Sequence, residues 1–569
     1  MKTTSLATSV ALALALLACG DDEVSTGGSG AGGDAAGGTP STGGAGGAGG
    51  QNEGGWDARF DPTVQALLED LEASSALGVS VAIMEGGEIT FARAFGSKDG
   101  EGLEPLEPET LMQIGSTTKQ LTAAALLRKV EAGDLTLDDS LEDLLPSLEF
   151  AHDPEWDDQL LVRHLISHQG GVLDRTDWDG GEGDAELASF TYGTFADEVF
   201  FMSPPGSFWN YSNPNFALAG LVTEELDARA WPDLMREDLF TPLGMSRTFL
   251  RRDEVLADGD FAQSYGFTAS DLNGNFASQG VVPLDEVPDP GWLRPAGLAW
   301  TTPTQMMSWA DFLLRGNPAV LSDALRSEIT AEQVDTLYQS GNLHYGYGMF
   351  VSRGFLTLDG VYYPTTVWDH GGNTLSFTNL FYVLPEHDFA IAICSSGYAT
   401  DFNRSVDVAI TSLVDLPAPV EAPAYEIDPS TFGRHVGEYD DPFANGRFNV
   451  TLEGGQLRVD APDLEAFGLD IEPVLQPISS EIFLMTVDGT PYEITFVPGA
   501  PGGDSQFVRN RGFVFTRVPV PPPGLPAPDG ASAAAAGSGG DAEVRAARIR
   551  AAFVLAKLDA VPQRWLPKR

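Results

Sequence analysis

The chain has 569 residues, room for three or four domains at about 150 residues each. Lys and Arg total 32 against 82 Asp and Glu, a net charge of −50 that repels phosphate backbones and excludes nucleic acid as a partner. Only two cysteines occur, Cys19 in an N-terminal leader and Cys394, so neither a structural disulfide nor a Cys-based zinc site is expected.

In the leader, Lys2 supplies a positive start, residues 6–18 form a short apolar run, and LLAC ends at Cys19. The pattern resembles a bacterial lipoprotein signal. It implies that residues 1–18 are removed and that Cys19 carries lipid, anchoring the chain to a membrane from the periplasm or the cell surface. An ordinary secretory signal with an incidental cysteine fits the same residues. Residues 19–55 read as a tether: 15 of the 35 residues from 21 to 55 are Gly, a composition that cannot build a core. Such a segment spans roughly 33 Å on r.m.s. average. No later stretch of eighteen apolar residues appears, so no spanning helix is expected after the leader.

Folded character begins near Trp56. VSVAIMEGG and EITFARAFG read as two strands around a turn at Glu85, Gly86 and Gly87. LMQIG is strand-like and leads into STTKQLTAAALLRKVEAGDL, where Leu121, Ala124 and Leu127 recur at helical spacing and Gly133 closes the helix. From about 135 to 345, short helical patterns alternate with Gly, Pro and Asp rich loops. Strand character returns in TTVWDHGG, SFTNLFYVL and DFAIAICSS, ahead of a helical DFNRSVDVAITSLVD. Strands at both ends with helices between predict one sheet assembled from the two termini of a 56–417 domain, with a helical region inserted. Residues 424–517 hold short alternating runs such as RFNVTLEGGQLRVDAP, EIFLMTV, YEITFV and GFVFTRV, the pattern of a small antiparallel sandwich or barrel. A Pro/Gly/Ala linker follows over 518–540. The 541–569 tail carries seven Lys or Arg against three acidic residues, and reads either as a basic amphipathic helix or as a disordered end.

Three short motifs carry chemistry. Ser116-Thr117-Thr118-Lys119 opens a helix, and the i, i+3 spacing sets the ammonium and the hydroxyl on one face. A serine needs a base, and a lysine whose pKa falls by burial can be one. Lys119 is the only one of six lysines with a serine three residues before it. Taken alone, the motif also fits a surface lysine. Tyr211-Ser212-Asn213 follows the loop FMSPPGSFWN. Tyr211 can shuttle a proton and Asn213 can position a substrate, or Asn213 can simply cap its own turn. His370-Gly371-Gly372 ends the strand TTVWD, where glycines admit a substrate backbone and the Asn373 amide can face an oxyanion. His168, His344 and His435 also precede Gly at the same spacing, and place in the strand order selects His370. The acidic loop DRTDWDGGEGDAE at 174–186 reads as a calcium loop or a solvated one, and no metal site or cofactor is expected.

The order Ser-x-x-Lys, Tyr-x-Asn, His-x-Gly at 116, 211 and 370 resembles the serine β-lactamase and penicillin-binding-protein superfamily. Within it, the likeness is to class C β-lactamases, D-Ala-D-Ala carboxypeptidases, D-aminopeptidases and β-lactamase-like esterases. LVRHLISHQGG, DLFTPLGMSRTF and RPAGLAWTTPTQMMSWADFLL support it. The resemblance implies an α/β (α+β) fold, an antiparallel sheet flanked by helices, followed by a small all-β domain. It also implies an acyl-enzyme hydrolase for an ester, an amide or a D-amino-acid peptide, with β-lactamase action or non-catalytic binding of penicillin or peptidoglycan as alternatives. Carried over by motif, Ser116 is the nucleophile, Lys119 its base, Tyr211 the proton shuttle and Asn213 a positioning amide. His370, Gly371 and Gly372 lie on the third-motif strand, and the amides of Ser116 and Asn373 form the oxyanion hole. Two departures stand out. No lysine occurs between Lys129 and Lys557, so the third motif lacks the cation that holds a substrate carboxylate, and Ser376 replaces a frequent Gly, with bulk expected to narrow the cleft.

Overall fold

The computed structural model describes residues 55–519 except 152–155, 176–177, 269–278, 339–340 and 443. The leader with Cys19, all but the end of the Gly-rich tether, the linker from 520 onward and the basic tail lie outside the described residues. Among the described residues, no helix is long and apolar enough to cross a membrane.

Eight strands form the first sheet: β1 (Gly78–Glu85), β2 (Glu88–Gly96), β3 (Val334–Asp335), β4 (Leu343–Tyr345), β5 (Phe350–Ser352), β6 (Val367–Asn373), β7 (Thr378–Leu384) and β8 (Phe389–Ser395). Their order is β2-β1-β8-β7-β6-β5-β4-β3, antiparallel throughout. The first strand of the domain thus pairs with its last, Val79 opposite Ser395, as the split strand pattern predicts. Of three short strands that sequence reading missed, β3 and β4 come from the stretch that reads as helices and loops, and β5 follows just after it. At two or three residues each they are too short for alternation to register. The strand carrying the third motif also continues past His370 to Asn373, although its two glycines read as a strand end.

Period-two alternation assigns the faces of β1 and β8. Val79, Val81, Ile83, Ile391 and Ile393 point to one side, where they pack with Val64 and Leu67 of helix α1 (Asp61–Ala73) and Val406 and Ile410 of helix α5 (Asn403–Leu413). The small residues Ala82, Ala390, Ala392 and Cys394 point to the other side, into the larger core. That core is built by helices α2 (Thr118–Ala132), α3 (Asn213–Asp227) and α4 (Pro303–Arg315). Helix α2 ends where expected, at Gly133 in the left-handed region (φ 79°). This is a β-lactamase-like fold of helices on both faces of an antiparallel sheet.

The sheet-rich C-terminal region holds eight further strands: β9 (Gly437–Asp441), β10 (Gly446–Glu453), β11 (Gln456–Asp460), β12 (Gln476–Pro477), β13 (Ile482–Val487), β14 (Thr490–Pro498), β15 (Ser505–Asn510) and β16 (Phe513–Arg517). They run in the order β11-β10-β9-β16-β15-β14-β13-β12. Leu457 and Val459 of one edge strand exchange backbone bonds with Leu475 and Pro473, just before the other edge strand, so the sheet nearly closes into a barrel. Its interior is filled by Phe448, Phe483, Phe496, Phe515 and Tyr439 and leaves the hydrophobic centre packed. The Arg511-Gly512 turn between β15 and β16 projects from this sheet onto the first domain, where the Asn210 amide donates to Asn510 O (3.3 Å).

Candidate active site

Ser116 lies on the turn Gly115–Thr117 that leads into helix α2. Gly115 has a positive φ of 53°, and a Cβ there would lie 2.4 Å from the Asn373 backbone nitrogen. A Cβ on Gly372 would come within 1.8 Å of Ile114 O. The two glycines therefore allow the turn to press against the end of β6, which brings the Asn373 amide beside the backbone that carries Ser116. The Thr117 hydroxyl fastens this junction by donating to Asn379 Oδ1 (2.7 Å), within reach of His370 O as well (3.2 Å).

Lys119 is fully buried, and its Nζ has three oxygen neighbours: Ser116 Oγ at 3.0 Å, Asn213 Oδ1 at 2.8 Å and Ala296 O at 2.5 Å. Two of these are carbonyl oxygens that only accept, whereas the third is a hydroxyl that can donate. A neutral amine has two N–H donors and one lone pair, so it matches this set with the lone pair facing the Ser116 hydroxyl. The electrostatics agree. Burial pushes the Lys119 pKa well below its ordinary value, the Asp174 carboxylate opposes this, and the Arg511 guanidinium adds to it.

Tyr211 approaches Ser116 from the far side of the sequence motif, with its phenol donating to Ser116 Oγ at 2.7 Å. Burial raises its pKa, against a smaller lowering by Arg511, so it stays a protonated donor at neutral pH. His168 holds Tyr211 in place. It occupies a left-handed conformation (φ 56°), lies tilted by 37° against the phenol ring with the ring centres 4.1 Å apart, and accepts the Ser212 N–H at its Nδ1. Asn213 begins helix α3 with Pro214 in the first turn. Its side chain reaches Lys119 instead of capping its own turn, and the cap is supplied from outside by Asp174 Oδ1, which accepts the Asn213 N–H at 2.7 Å.

Sequence reasoning puts His370 on the substrate side, and the structure corrects this. The ring is 2% exposed; its Nδ1 donates to Gly371 O (2.6 Å), and its Nε2 accepts from the Tyr345 hydroxyl (3.1 Å). Burial, reinforced by nearby Lys119, pushes its pKa down to about 3. His370 is therefore a neutral wall residue behind Tyr345 and Phe350, not a cleft-lining cation. Ser376 does not narrow the cleft: it is buried where the backbone of Gly266 packs, so close that a Cβ on Gly266 would lie 2.9 Å from Ser376 Cβ. In the acidic loop at 174–186, Gly180, Gly181, Glu182, Gly183 and Ala185 are exposed, as in a solvated loop, while several of its charged groups are paired. Arg175 binds Asp179 and Glu198, Asp184 binds Arg251 and Arg294, and Asp174 binds Arg511. Among the described residues no cluster of His, Cys, Asp and Glu could hold a metal ion.

Arg511, Asp174, His168 and Tyr345 escape sequence reading. Only His168 had a local signal, the SHQGG stretch; the others matter through contacts between segments far apart in the chain.

A family model described as Beta-lactamase matches residues 60–414, and the chain belongs to this family. The fold and the order of the Ser116, Tyr211 and His370 motifs agree with that membership. The chain is similar to the Unguisins hydrolase ungD' of Aspergillus campestris, with 30% identity over 46% of this chain and 48% of that protein. It thus spans about half the length of that relative. The crystal structure of SurE superposes with a TM-score of 0.59 at 21% identity, covering 81% of this chain and 99% of that one. A D-amino acid amidase from Ochrobactrum anthropi SV3, complexed with L-phenylalanine amide, superposes with a TM-score of 0.51 at 21% identity, covering 62% of this chain and 98% of that one.

Proposed function

We propose that the protein is an extracytoplasmic serine hydrolase that cleaves esters, amides or D-amino-acid peptides through an acyl-enzyme on Ser116. The observation that carries this reading is the chain of contacts from the Tyr211 phenol to Ser116 Oγ (2.7 Å) and on to the buried amine of Lys119 (3.0 Å). In acylation, Ser116 Oγ bonds to the substrate carbonyl carbon and its proton passes to Lys119. The carbonyl oxygen becomes an oxyanion that the backbone amides of Ser116 and Asn373 would stabilise. The leaving group departs with the Tyr211 proton, which Lys119 replaces. Water then attacks the ester along the same proton path in reverse. Asn213, held by Lys119, is available to position the substrate amide. On β6 the space beside Gly372 is taken by Ile114 O, so this glycine serves the approach of the Ser116 turn, with Gly371 next to it on the strand.

Amide and D-amino-acid chemistry draw support from the amidase whose fold this chain shares. β-Lactam hydrolysis is the second reading, favoured by the family model, but the third motif offers no lysine to hold a substrate carboxylate. The extracytoplasmic place and the lipid anchor rest on the leader and Cys19. The deciding experiment treats purified protein with a fluorophosphonate and with labelled penicillin, then locates added mass by peptide mapping. Covalent mass on Ser116 and turnover of p-nitrophenyl esters or D-amino-acid amides are expected. A protein that binds penicillin reversibly and gains no mass from either probe would be a binder, and the hydrolase reading would fail.

A further inference from the structure

The Arg511-Gly512 turn reaches from the C-terminal sheet to the proton-transfer groups. Arg511 makes a two-pronged contact with Asp174, its Nε and Nη2 both 2.7 Å from Asp174 Oδ2, in a setting where the carboxylate side chain is fully buried and Arg511 is 8% exposed. The guanidinium carbon also lies 4.5 Å from the centre of the Tyr211 ring. The other oxygen of Asp174 holds the Asn213 N–H, and Asn213 Oδ1 in turn holds Lys119. One ion pair across two folded regions therefore touches Tyr211 directly and Lys119 through Asn213. Next to it, Arg509 is buried against Trp209 and Tyr338 and donates to Thr336 O at 2.7 Å, so the strand that leads into the turn is fastened as well.

We infer that Arg511 and Asp174 are a positioning pair for the acyl-transfer machinery, with the C-terminal sheet supplying the charge that lets the hydrolase domain keep a buried carboxylate beside its lysine base. The inference rests on the hydrolase reading above. Its physical content is compensation. A carboxylate at the start of helix α3 caps Asn213, but unpaired it would pull a proton onto Lys119, and the guanidinium cancels that pull. The other groups around Lys119 do not substitute for it. Tyr211, Ser116, Asn213 and the Ala296 carbonyl are neutral, and burial holds His168 and His370 in their uncharged forms. Asp174 and Arg511 are the formal charges that act on Lys119 among the described residues.

The test is the acidic limb of kcat/KM for one neutral p-nitrophenyl ester, measured on the full mature chain. Arg511→Met should move the limb to higher pH by ~1 unit, because the uncompensated carboxylate keeps Lys119 protonated. Asp174→Asn should move it the other way, and the double variant should return it towards wild type. Arg511→Lys keeps the charge and should keep the wild-type limb even if the rate falls. If Arg511→Met unfolds, Asp174→Asn and Arg511→Lys still carry the test. Folded variants whose rates drop while their limbs stay at the wild-type pH would overturn the inference, as would an Arg511→Lys limb displaced as far as that of Arg511→Met. Fluorophosphonate labelling of wild-type Ser116 is the separate check: unlabelled wild type sinks the hydrolase reading, whereas labelled wild type with unmoved limbs sinks only the pair.

Discussion

Replacing Lys119 by Met removes the amine and keeps most of the side-chain volume, so it isolates the base from the packing. Serine without its base loses the ~10²–10⁴-fold that general-base transfer contributes. Because Ser116, Lys119 and Tyr211 share one hydrogen-bonded unit, the loss in kcat/KM should be ~10³-fold or more, and Ser116→Ala added to Lys119→Met should cost little further. The stability effect has two opposing parts. Asn213 Oδ1 and Ala296 O lose a donor, about 1–3 kcal/mol each. Against this, the variant no longer buries an amine whose charged form the site disfavours. The pH dependence separates the two. The Lys119 pKa is lowered on folding, so between that lowered value and the ordinary 10.5 the unfolded chain binds more protons than the folded one. Raising the pH through this window should therefore stabilise wild type relative to Lys119→Met, and lowering it should reverse the trend. Initial rates with p-nitrophenyl esters and thermal unfolding across neutral to alkaline pH measure both. A variant that retains more than a tenth of the wild-type rate would refute the assignment of the base, and a stability difference that is flat with pH would refute the buried amine.

Tyr211→Phe deletes the phenol 2.7 Å from Ser116 Oγ and should cost ~10²-fold or more in kcat while leaving the unfolding temperature close to wild type; an unchanged kcat would show that protons leave by another route. Neutral esters or amides should be cleaved with ~10-fold or more higher kcat/KM than matched substrates ending in a carboxylate, since His370 is neutral and the net charge is −50. That ratio should stay constant from pH 5.5 to 8, because burial keeps the His370 pKa near about 3; a ratio that falls as the pH drops would mean the ring titrates in the cleft. Gly372→Ala puts a Cβ 1.8 Å from Ile114 O, a backbone atom that cannot turn away, and should cost about 1–3 kcal/mol of stability together with most Ser116 labelling. Wild-type melting in that variant would count against the close approach. Cys19→Ser should shift the protein from the detergent to the aqueous phase with its kcat intact, and wild type found in the aqueous phase would remove the lipid anchor.

Two kinds of information divide the molecule. Whatever depends on neighbours in sequence was legible before any coordinates: the i, i+3 spacing of Ser116 and Lys119, the alternation of β1 and β8, the left-handed stop at Gly133, and the texture of the C-terminal strands. Each follows from local geometry, the 3.6-residue helical repeat, the two-residue strand repeat and the freedom of glycine at positive φ. Strands of two or three residues, β3 to β5, escaped because so short a run carries no period, and β4 supplies the Tyr345 that holds His370.

The charge state of the site belongs to the tertiary structure alone. Sequence places His370 on the third-motif strand, but only the fold shows it buried against Tyr345 and Phe350. The same sequence logic found no cation near the third motif, and none lies on that strand. The positive charge beside Tyr211 comes instead from Arg511, 300 residues further along the chain. Desolvation and Coulomb energy depend on what surrounds an atom in space, and a low-dielectric interior amplifies both. Spacing along a chain can bring a serine and a lysine onto one face of a helix; only the folded core can take the proton off the lysine.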